Sequence, residues 1–330
     1  MCINKDLIAV PKNLPKSVKV LLLNDNNISR LSADSFPELL NQLTDLHLTG
    51  NKLEQIEPSA FANLPGLRLL NLANNRLLAF SPEAFPVDND LRELNMSGSL
   101  YNRSYSNELF NLLREATPRL SALDLSNNDL LYLPEDAFSN VGNLSRLDLR
   151  NNSLVVVTDG TLRNVRLLTL DLRENSLKEL PNGTLAELGL QAGMRLWLAG
   201  NPWDCDCNVE DMVLWLRRAE LVVDRRELAC ASPERLRRTR LLQLNATQLP
   251  CAYADGDMKG VLETSYVFLG MVLALIGVIF LFVLYLNRRG IKRWMYNIRD
   301  ACRDHMEGYH YRYEINSDPR LANLGLNSDV

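Results

Sequence analysis

The chain has 330 residues, 46% of them hydrophobic, and a net charge of −4. That length accommodates one large solenoid or two compact domains. The balance of apolar and charged residues excludes a disordered polymer and speaks against a nucleic-acid partner.

The sequence begins "MCINKDLIAVP". No secretory leader precedes this stretch, which already reads as folded protein, so a truncated precursor or a mature fragment is expected. From Val18 a leucine frame takes over, fitting neither period 3.6 nor simple alternation. L-x-x-L-x-L-x-x-N-x-L fits Val18/Leu21/Leu23/Asn26/Ile28, then Leu43 to Leu53, then Leu67/Leu70/Leu72/Asn75/Leu77. It returns at Leu120 to Leu130, Leu144 to Leu154 and Leu167 to Leu177. A weaker copy has Leu91, Leu94 and Met96 with Ser99 in the asparagine slot, and a last one has Leu196, Leu198 and Asn201. Eight copies at a near-constant spacing are the signature of leucine-rich repeats.

The expected fold is an α/β leucine-rich-repeat solenoid over 18–201, a parallel-sheet horseshoe of eight repeats. Each L-x-L is a short strand with inward leucines, stacked on its neighbours at ~4.8 Å. The chain must then turn back, stranding buried backbone groups. An asparagine amide both donates and accepts, so stacked asparagines can satisfy those groups turn after turn. A second apolar pair in each repeat is expected to fill the convex side: Phe36/Leu39, Phe61/Leu64, Phe85, Phe138/Val141, Leu162/Val165 and Leu185/Leu188. No repeat buries its leucines alone, so stability is shared between neighbours. The interval from Ser99 to Asn128 is longer than the others. Leu109, Leu112 and Leu113 in it suggest a short amphipathic helix, and a tolerated loop insertion is the expectation there.

The x positions of each strand line the concave face. Asp124, Asp148 and Asp171 fall in one column, with Arg150 and Arg173 beside it. A hydrolase-like carboxylate pair is one reading. Solvated ion pairs between exposed Asp and Arg are the plainer one, since no histidine lies close in register. There is no phosphate loop, nucleophile motif, metal triad or cofactor motif, so no enzyme and no cofactor is expected. As a protein-binding face the column makes more sense. Trp197 beside Arg195 is the leading hot-spot candidate, with Arg150, Arg173, Asp148 and Asp171 around it. Its competing role is packing against the cap near Trp203. A glycan on Asn95, on the same face, would push partners toward either end.

After the repeats comes "NPWDCDC…DMVLWL", with Cys205, Cys207, Cys230 and Cys251 within 202–251. Spacing alone allows three pairings, and C-x-C with distant partners and no nearby His is a poor zinc set. The segment matches the C-terminal cap of extracellular leucine-rich-repeat proteins, a resemblance that implies Cys205–Cys230 and Cys207–Cys251. At the other end, Cys2 followed by "LIAVPKNLP" resembles the last part of an N-terminal cap over 1–17, with its partner cysteine absent.

A stalk, 252–265, leads to "YVFLGMVLALIGVIFLFVLYL", Tyr266 to Leu286, an apolar run without charge. As a helix rising ~1.5 Å per residue it reaches ~31 Å, close to the ~30 Å of a hydrocarbon core. Arg288, Arg289, Lys292 and Arg293 follow, placing the C-terminus in the cytoplasm and the cysteine-rich repeats outside, where disulfides persist. Tyr266, Tyr285 and Trp294 are placed as interfacial anchors. Glycosylation sequons start at Asn27, Asn95, Asn102, Asn143, Asn151, Asn182 and Asn245, all before this span.

The tail, 287–330, offers Cys302 among cations near the membrane as a palmitoylation candidate. It ends in Ser328-Asp329-Val330, the S-x-V carboxylate pattern that PDZ domains capture by strand addition.

From Thr264 onward the sequence, "TSYVFLGMVLALIGVIFLFVLYLNRRGIKRWMYNIRDACRDHMEGYHYRYEINSDPRLANL…NSDV", resembles the trophoblast glycoprotein family, as do "NGTLAEL", "NPWDCDC" and "DMVLWL". The likeness spans nearly the whole chain. It implies a single-pass type I plasma-membrane glycoprotein that antagonises Wnt/β-catenin signalling at the coreceptor and is linked to adhesion and motility. The alternative reading is an adhesion scaffold acting through its tail and PDZ partners.

Overall fold

The structure is a computed structural model that describes residues 1–101, 106–245, 249, 257–293 and 295–299. The chain divides into two units, Met1–Cys251 and Ala252–Val330.

In the first unit, eight three-residue strands pair in parallel and in chain order. They are Val20–Leu22, Asp45–His47, Leu69–Asn71, Glu93–Asn95, Ala122–Asp124, Arg146–Asp148, Thr169–Asp171 and Arg195–Trp197. The register stacks Leu21, Leu46, Leu70 and Leu94 over one another. It continues through Leu123, Leu147, Leu170 and Leu196. Every one of these leucines is buried, because side chains alternate across a strand and the flanking positions must then face out.

The frame asparagines carry the turns as expected. Asn152 donates to the carbonyls of Leu125, one repeat back, at 3.0 Å and Leu149, in its own repeat, at 2.9 Å. Its Oδ1 accepts the N–H groups of Asn128 and Leu130, both at 3.0 Å. Asn51, Asn75, Asn175 and Asn201 repeat the two-carbonyl grip. Ser99 is the exception and is still satisfied. Its hydroxyl donates to the Leu72 carbonyl, and its backbone carbonyl accepts the Leu77 N–H at 2.7 Å, where an asparagine Oδ1 would otherwise sit. The residue preceding each slot has a left-handed backbone: Asp25, Gly50, Asn74, Gly98, Asn127, Asn151, Glu174 and Gly200. Such positions favour Gly, Asn and Asp, which explains their recurrence there.

The convex side changes along the stack. Up to Phe85 it is a narrow sheet of Arg30–Leu31, Gln55–Ile56 and Ala79–Phe80. Behind that sheet lies a row of rings, with Phe61 stacked on Phe85 at 4.9 Å. Farther along, helices α1 (Ser106–Ala116) and α2 (Asn182–Gly189) take part. The inserted segment is therefore more than a loop excursion. On α1, Leu109, Phe110, Leu112 and Leu113 are all buried, and Phe110 meets Phe138 edge-on at 6.1 Å. One expected convex residue is wrong. Leu39 is 53% exposed, whereas Leu40 is 1% exposed. The stretch from Phe36 to the frame residue Leu43 is one residue longer than that from Phe61 to Leu67, which moves the inward position from Leu39 to Leu40.

Both ends of the sheet are covered. The Cys2 and Asn4 N–H groups donate to the carbonyls of Leu22 at 2.9 Å and Asn24 at 3.0 Å, and Asn26 holds the Cys2 carbonyl at 2.8 Å and the Lys5 N–H at 2.9 Å. The Cys2 thiol itself is free. At the other end the Leu196 N–H reaches the Leu221 carbonyl and the Val223 N–H returns to the Leu196 carbonyl, both at 2.9 Å. The buried Asp224 carboxylate accepts the N–H groups of Leu198 at 2.9 Å and Ala199 at 2.8 Å. Helix α3 (Val209–Arg218) buries Val209, Met212, Val213 and Leu216 over this end beside Trp203. Cys205 and Cys230 form a disulfide. Cys207 is also disulfide-bonded; its expected partner, Cys251, lies outside the described residues.

In the second unit, helix α4 runs Asp257–Leu286. Its described side chains from Leu269 to Val283 are apolar and exposed. Among the described residues no single helix is long and apolar enough to cross a membrane, but Leu269–Val283 and Arg288–Arg299 qualify as a pair bent by 69°. Asn102, Trp294, Cys302, Ser328, Asp329 and Val330 lie outside the described residues.

Candidate functional site

The strand register arranges the outward side chains of the sheet into two columns. One reads His47, Asn71, Asn95, Asp124, Asp148, Asp171, Trp197. The other reads Asp45, Leu69, Glu93, Ala122, Arg146, Thr169, Arg195 along the same pairings. Between them lies a trough of about 470 Å³ running from His47 to Trp197.

The predicted residues come together at its C-terminal end. Arg195 lies over the Trp197 ring with its guanidinium carbon 5.0 Å from the centroid, and Arg173 approaches the same ring at 5.9 Å. Both distances are within reach of a cation–π attraction. Trp203 is fully buried in the cap, while Trp197 remains half-exposed on the concave face. Packing beneath the cap therefore falls to Trp203, and Trp197 keeps part of its ring on the concave face.

Arg173 also grips Asp171, with Nε at 2.9 and 3.1 Å from the two carboxylate oxygens. This pair differs from the solvated one expected, because Asp171 is buried. Its hydrogen bonds raise the Arg173 pKa above the usual arginine value, and the Asp224 and Asp148 charges add to the effect. Arg150 pairs more loosely with Asp148, Nε to Oδ2 at 3.2 Å. Burial pushes the Asp148 carboxyl above the usual carboxylate range. The Asp124 and Asp171 charges on either side push it the same way, and Arg150 opposes them. Arg146 reaches across two strands to Glu93 at 2.8 Å. Asp148 and Asp171 are thus committed to arginines and turn N–H groups, and Asp124 to the N–H and hydroxyl of Ser126. Among the described residues no group of His, Cys, Asp and Glu is placed to hold a metal.

Asn95 sits mid-trough, its Oδ1 accepting from the Ser97 N–H and hydroxyl at 2.8 Å. Asn143, Asn151, Asn182 and Asn245 are exposed, whereas Asn27 is half-buried.

One cluster escaped the sequence reading. Asp90 is clasped by Arg68 at 3.0 Å, Arg92 at 3.2 Å and Arg119 at 3.7 Å. Burial raises the Asp90 pKa, but the hydrogen bonds from Arg92 and Arg68 and their charges prevail and hold it below the usual carboxylate range. The signal was present: all four residues lie just before a strand in successive repeats.

Comparison with known proteins agrees with this architecture. The leucine rich repeat family matches residues 41–100, 118–177 and 142–192, and the leucine rich repeat C-terminal domain matches 228–252. The trophoblast glycoprotein of Macaca fascicularis is 47% identical over 347 residues, covering 100% of this chain and 82% of that protein. The Homo sapiens protein gives the same identity and coverage. The crystal structure of human 5T4 (Wnt-activated inhibitory factor 1, trophoblast glycoprotein) superposes with a TM-score of 0.69 at 37% identity, over 76% of this chain and 94% of that one. A second solved structure, an octameric complex of latrophilin 3, Unc5D and the leucine-rich-repeat protein FLRT2, matches with a TM-score of 0.52 at 25% identity, over 74% and 79%. With repeats, cap and full-length identity in agreement, the chain belongs to the trophoblast glycoprotein family of leucine-rich-repeat proteins.

Proposed function

We propose that the chain is a type I cell-surface glycoprotein that binds a protein partner on the C-terminal half of its concave face and thereby inhibits Wnt/β-catenin signalling at the coreceptor. The observation that carries the reading is Trp197, left half-exposed between two arginines at the end of the trough. Trp and Arg are among the residue types that carry most of the binding energy at protein interfaces. The Wnt assignment draws support from the name of the solved human relative. That a related repeat domain sits in a complex supports protein binding as the mode.

In this reading Tyr266–Leu286 spans the membrane. The exposed apolar side chains of Leu269–Val283, followed by Arg288, Arg289, Lys292 and Arg293, favour that placement. The Cys205–Cys230 disulfide favours an extracellular solenoid. The sequons then face the glycosylating compartment, Cys302 is available for palmitoylation, and Ser328, Asp329 and Val330 present a PDZ ligand in the cytoplasm.

A β-catenin reporter tests this. The full chain should lower the Wnt response, Trp197→Ala with Arg195→Ala should abolish that at equal surface expression, and deletion of Ser328–Val330 should leave it intact. No effect of the full chain would sink the Wnt reading. Full inhibition by the double variant would sink the concave-end assignment. Loss of inhibition on tail deletion would favour an adhesion scaffold working through PDZ partners.

A further inference from the structure

The chain as a whole is acidic, with 40 Asp and Glu against 36 Lys and Arg, yet one stretch of the C-terminal cap runs the other way. From Arg225 to Arg240 there are six arginines, no lysine, and two acidic residues, Glu227 and Glu234, for a net charge of +4.

The stretch folds into a pinned hairpin. The Cys230 N–H donates to the Thr239 carbonyl at 2.9 Å, the Arg238 N–H returns to the Cys230 carbonyl at 2.8 Å, and the Leu241 N–H reaches the Leu228 carbonyl at 3.0 Å. Leu228, Leu236 and Leu241 are buried beneath it, and Cys230 is tied to Cys205. With the apolar positions turned inward, Arg226, Arg235, Arg237, Arg238 and Arg240 are all exposed. Glu234 meets Arg237 at 3.4 Å across an open surface, where such a pair contributes little. Asp224, just before the stretch, is buried and spent on backbone N–H groups. Among the described residues Arg226 and Arg238 make no ion pair. Arg238 also holds a left-handed backbone, φ 65°, a conformation uncommon for a long side chain and retained only where its surroundings impose it.

We propose that this arginine hairpin is a binding site for a sulfated polysaccharide. The planar guanidinium fork engages anions that present two oxygens side by side, as tetrahedral phosphate and sulfate groups do, two bonds at a time, which lysine cannot do. Several of them fixed on one rigid hairpin lose little freedom when an extended polyanion lies along them. The hairpin contains a disulfided cysteine, so it belongs in an oxidising compartment. Anionic lipid is instead concentrated on the cytoplasmic leaflet. The site is separate from the concave trough and does not depend on the reading given to it.

The test uses the full chain in detergent micelles on a sensor bearing heparin, with chemically desulfated heparin, phosphatidylserine vesicles and a DNA fragment as alternatives. Heparin should bind and the desulfated polymer should not, with affinity falling steeply as salt rises. The variant Arg226→Gln/Arg235→Gln/Arg238→Asn should bind about tenfold or more weakly, its salt slope lower by about one per arginine removed, as for other linear polyanions. Arg76→Gln/Arg166→Gln, which removes exposed charge elsewhere, should bind as the parent does. Footprinting of the unmodified chain with phenylglyoxal adds an arm free of folding effects: heparin should protect Arg226, Arg235 and Arg238. Absent heparin binding, vesicles or DNA binding in preference to heparin, equal loss in the Arg76/Arg166 variant, or protection at Arg68, Arg92 and Arg119 instead would each overturn the proposal.

Discussion

The two halves of the solenoid share one buried frame and almost nothing else. Before Ser99 the convex side is a narrow sheet backed by phenylalanine rings, and the concave face offers His47, Leu69, Asn71 and Asn95. Beyond it the convex side recruits α1 and α2, and the concave face carries Asp148 with Arg150, Asp171 with Arg173, and Trp197. Stacking demands sameness only from the residues that touch the next repeat. The outward positions are released from that demand, so a single fold can carry different surface chemistry along each stretch.

The contrast can be broken at its core first. Phe61 stacks on Phe85 and also meets Phe36 at 6.5 Å and Phe80 at 6.3 Å. Phe61→Ala should cost about 3–5 kcal/mol. Hydrogen exchange on the full chain should show the loss concentrated before Ser99; protection lost evenly along both halves would mean they unfold as one body. The next largest effect belongs to the other half. Asn152→Ala strands backbone groups of two adjacent repeats, at about 2–3 kcal/mol, read as a lowered denaturation midpoint.

The smallest effects come from two carboxylates of opposite character. Asp90 is held below its usual range, so its contribution is present above the unfolded pKa of ~4 and is lost as pH falls through the lower folded value. Asp90→Asn should therefore lower the melting temperature at pH 7 and converge with the parent in acid. Asp148 is held above its usual range, so its ionised form burdens the fold at pH 7, and that burden lifts as pH falls through the raised folded value. Asp148→Asn should raise the melting temperature at pH 7, and this difference too should fade in acid. Equal signs at pH 7 would show that the two environments do not differ as described.

Much of this was legible beforehand because the repeat is written in residues that face their own kind. The frame leucines, the asparagine ladder, Ser99 as the weak copy and the Cys205–Cys230 pair all land where sequence and resemblance put them. What failed depended on geometry outside the frame. Leu39 was expected where Leu40 is buried, because the stretch between Phe36 and Leu43 is one residue longer than its counterpart between Phe61 and Leu67. The Asp90 clasp was missed because Arg68 lies a whole repeat before it and Arg119 a whole repeat after it, and they meet only once the repeats are stacked. Trp197 and Trp203 could not be assigned by type, since both are tryptophans near the same cap; burial separates them.

The covered ends of the sheet carry a last consequence. Parallel strands with open edges invite another chain to join, and the usual outcome is a fibre. Here Leu22 and Asn24 at one margin are engaged by Cys2 and Asn4, and Leu196, Leu198 and Ala199 at the other by Leu221, Val223 and Asp224. The ends of the eight-stranded sheet are therefore closed to a second copy seeking to extend it strand by strand. Association through this sheet is left to side chains on the broad flanks, where a single substitution is enough to permit or forbid it.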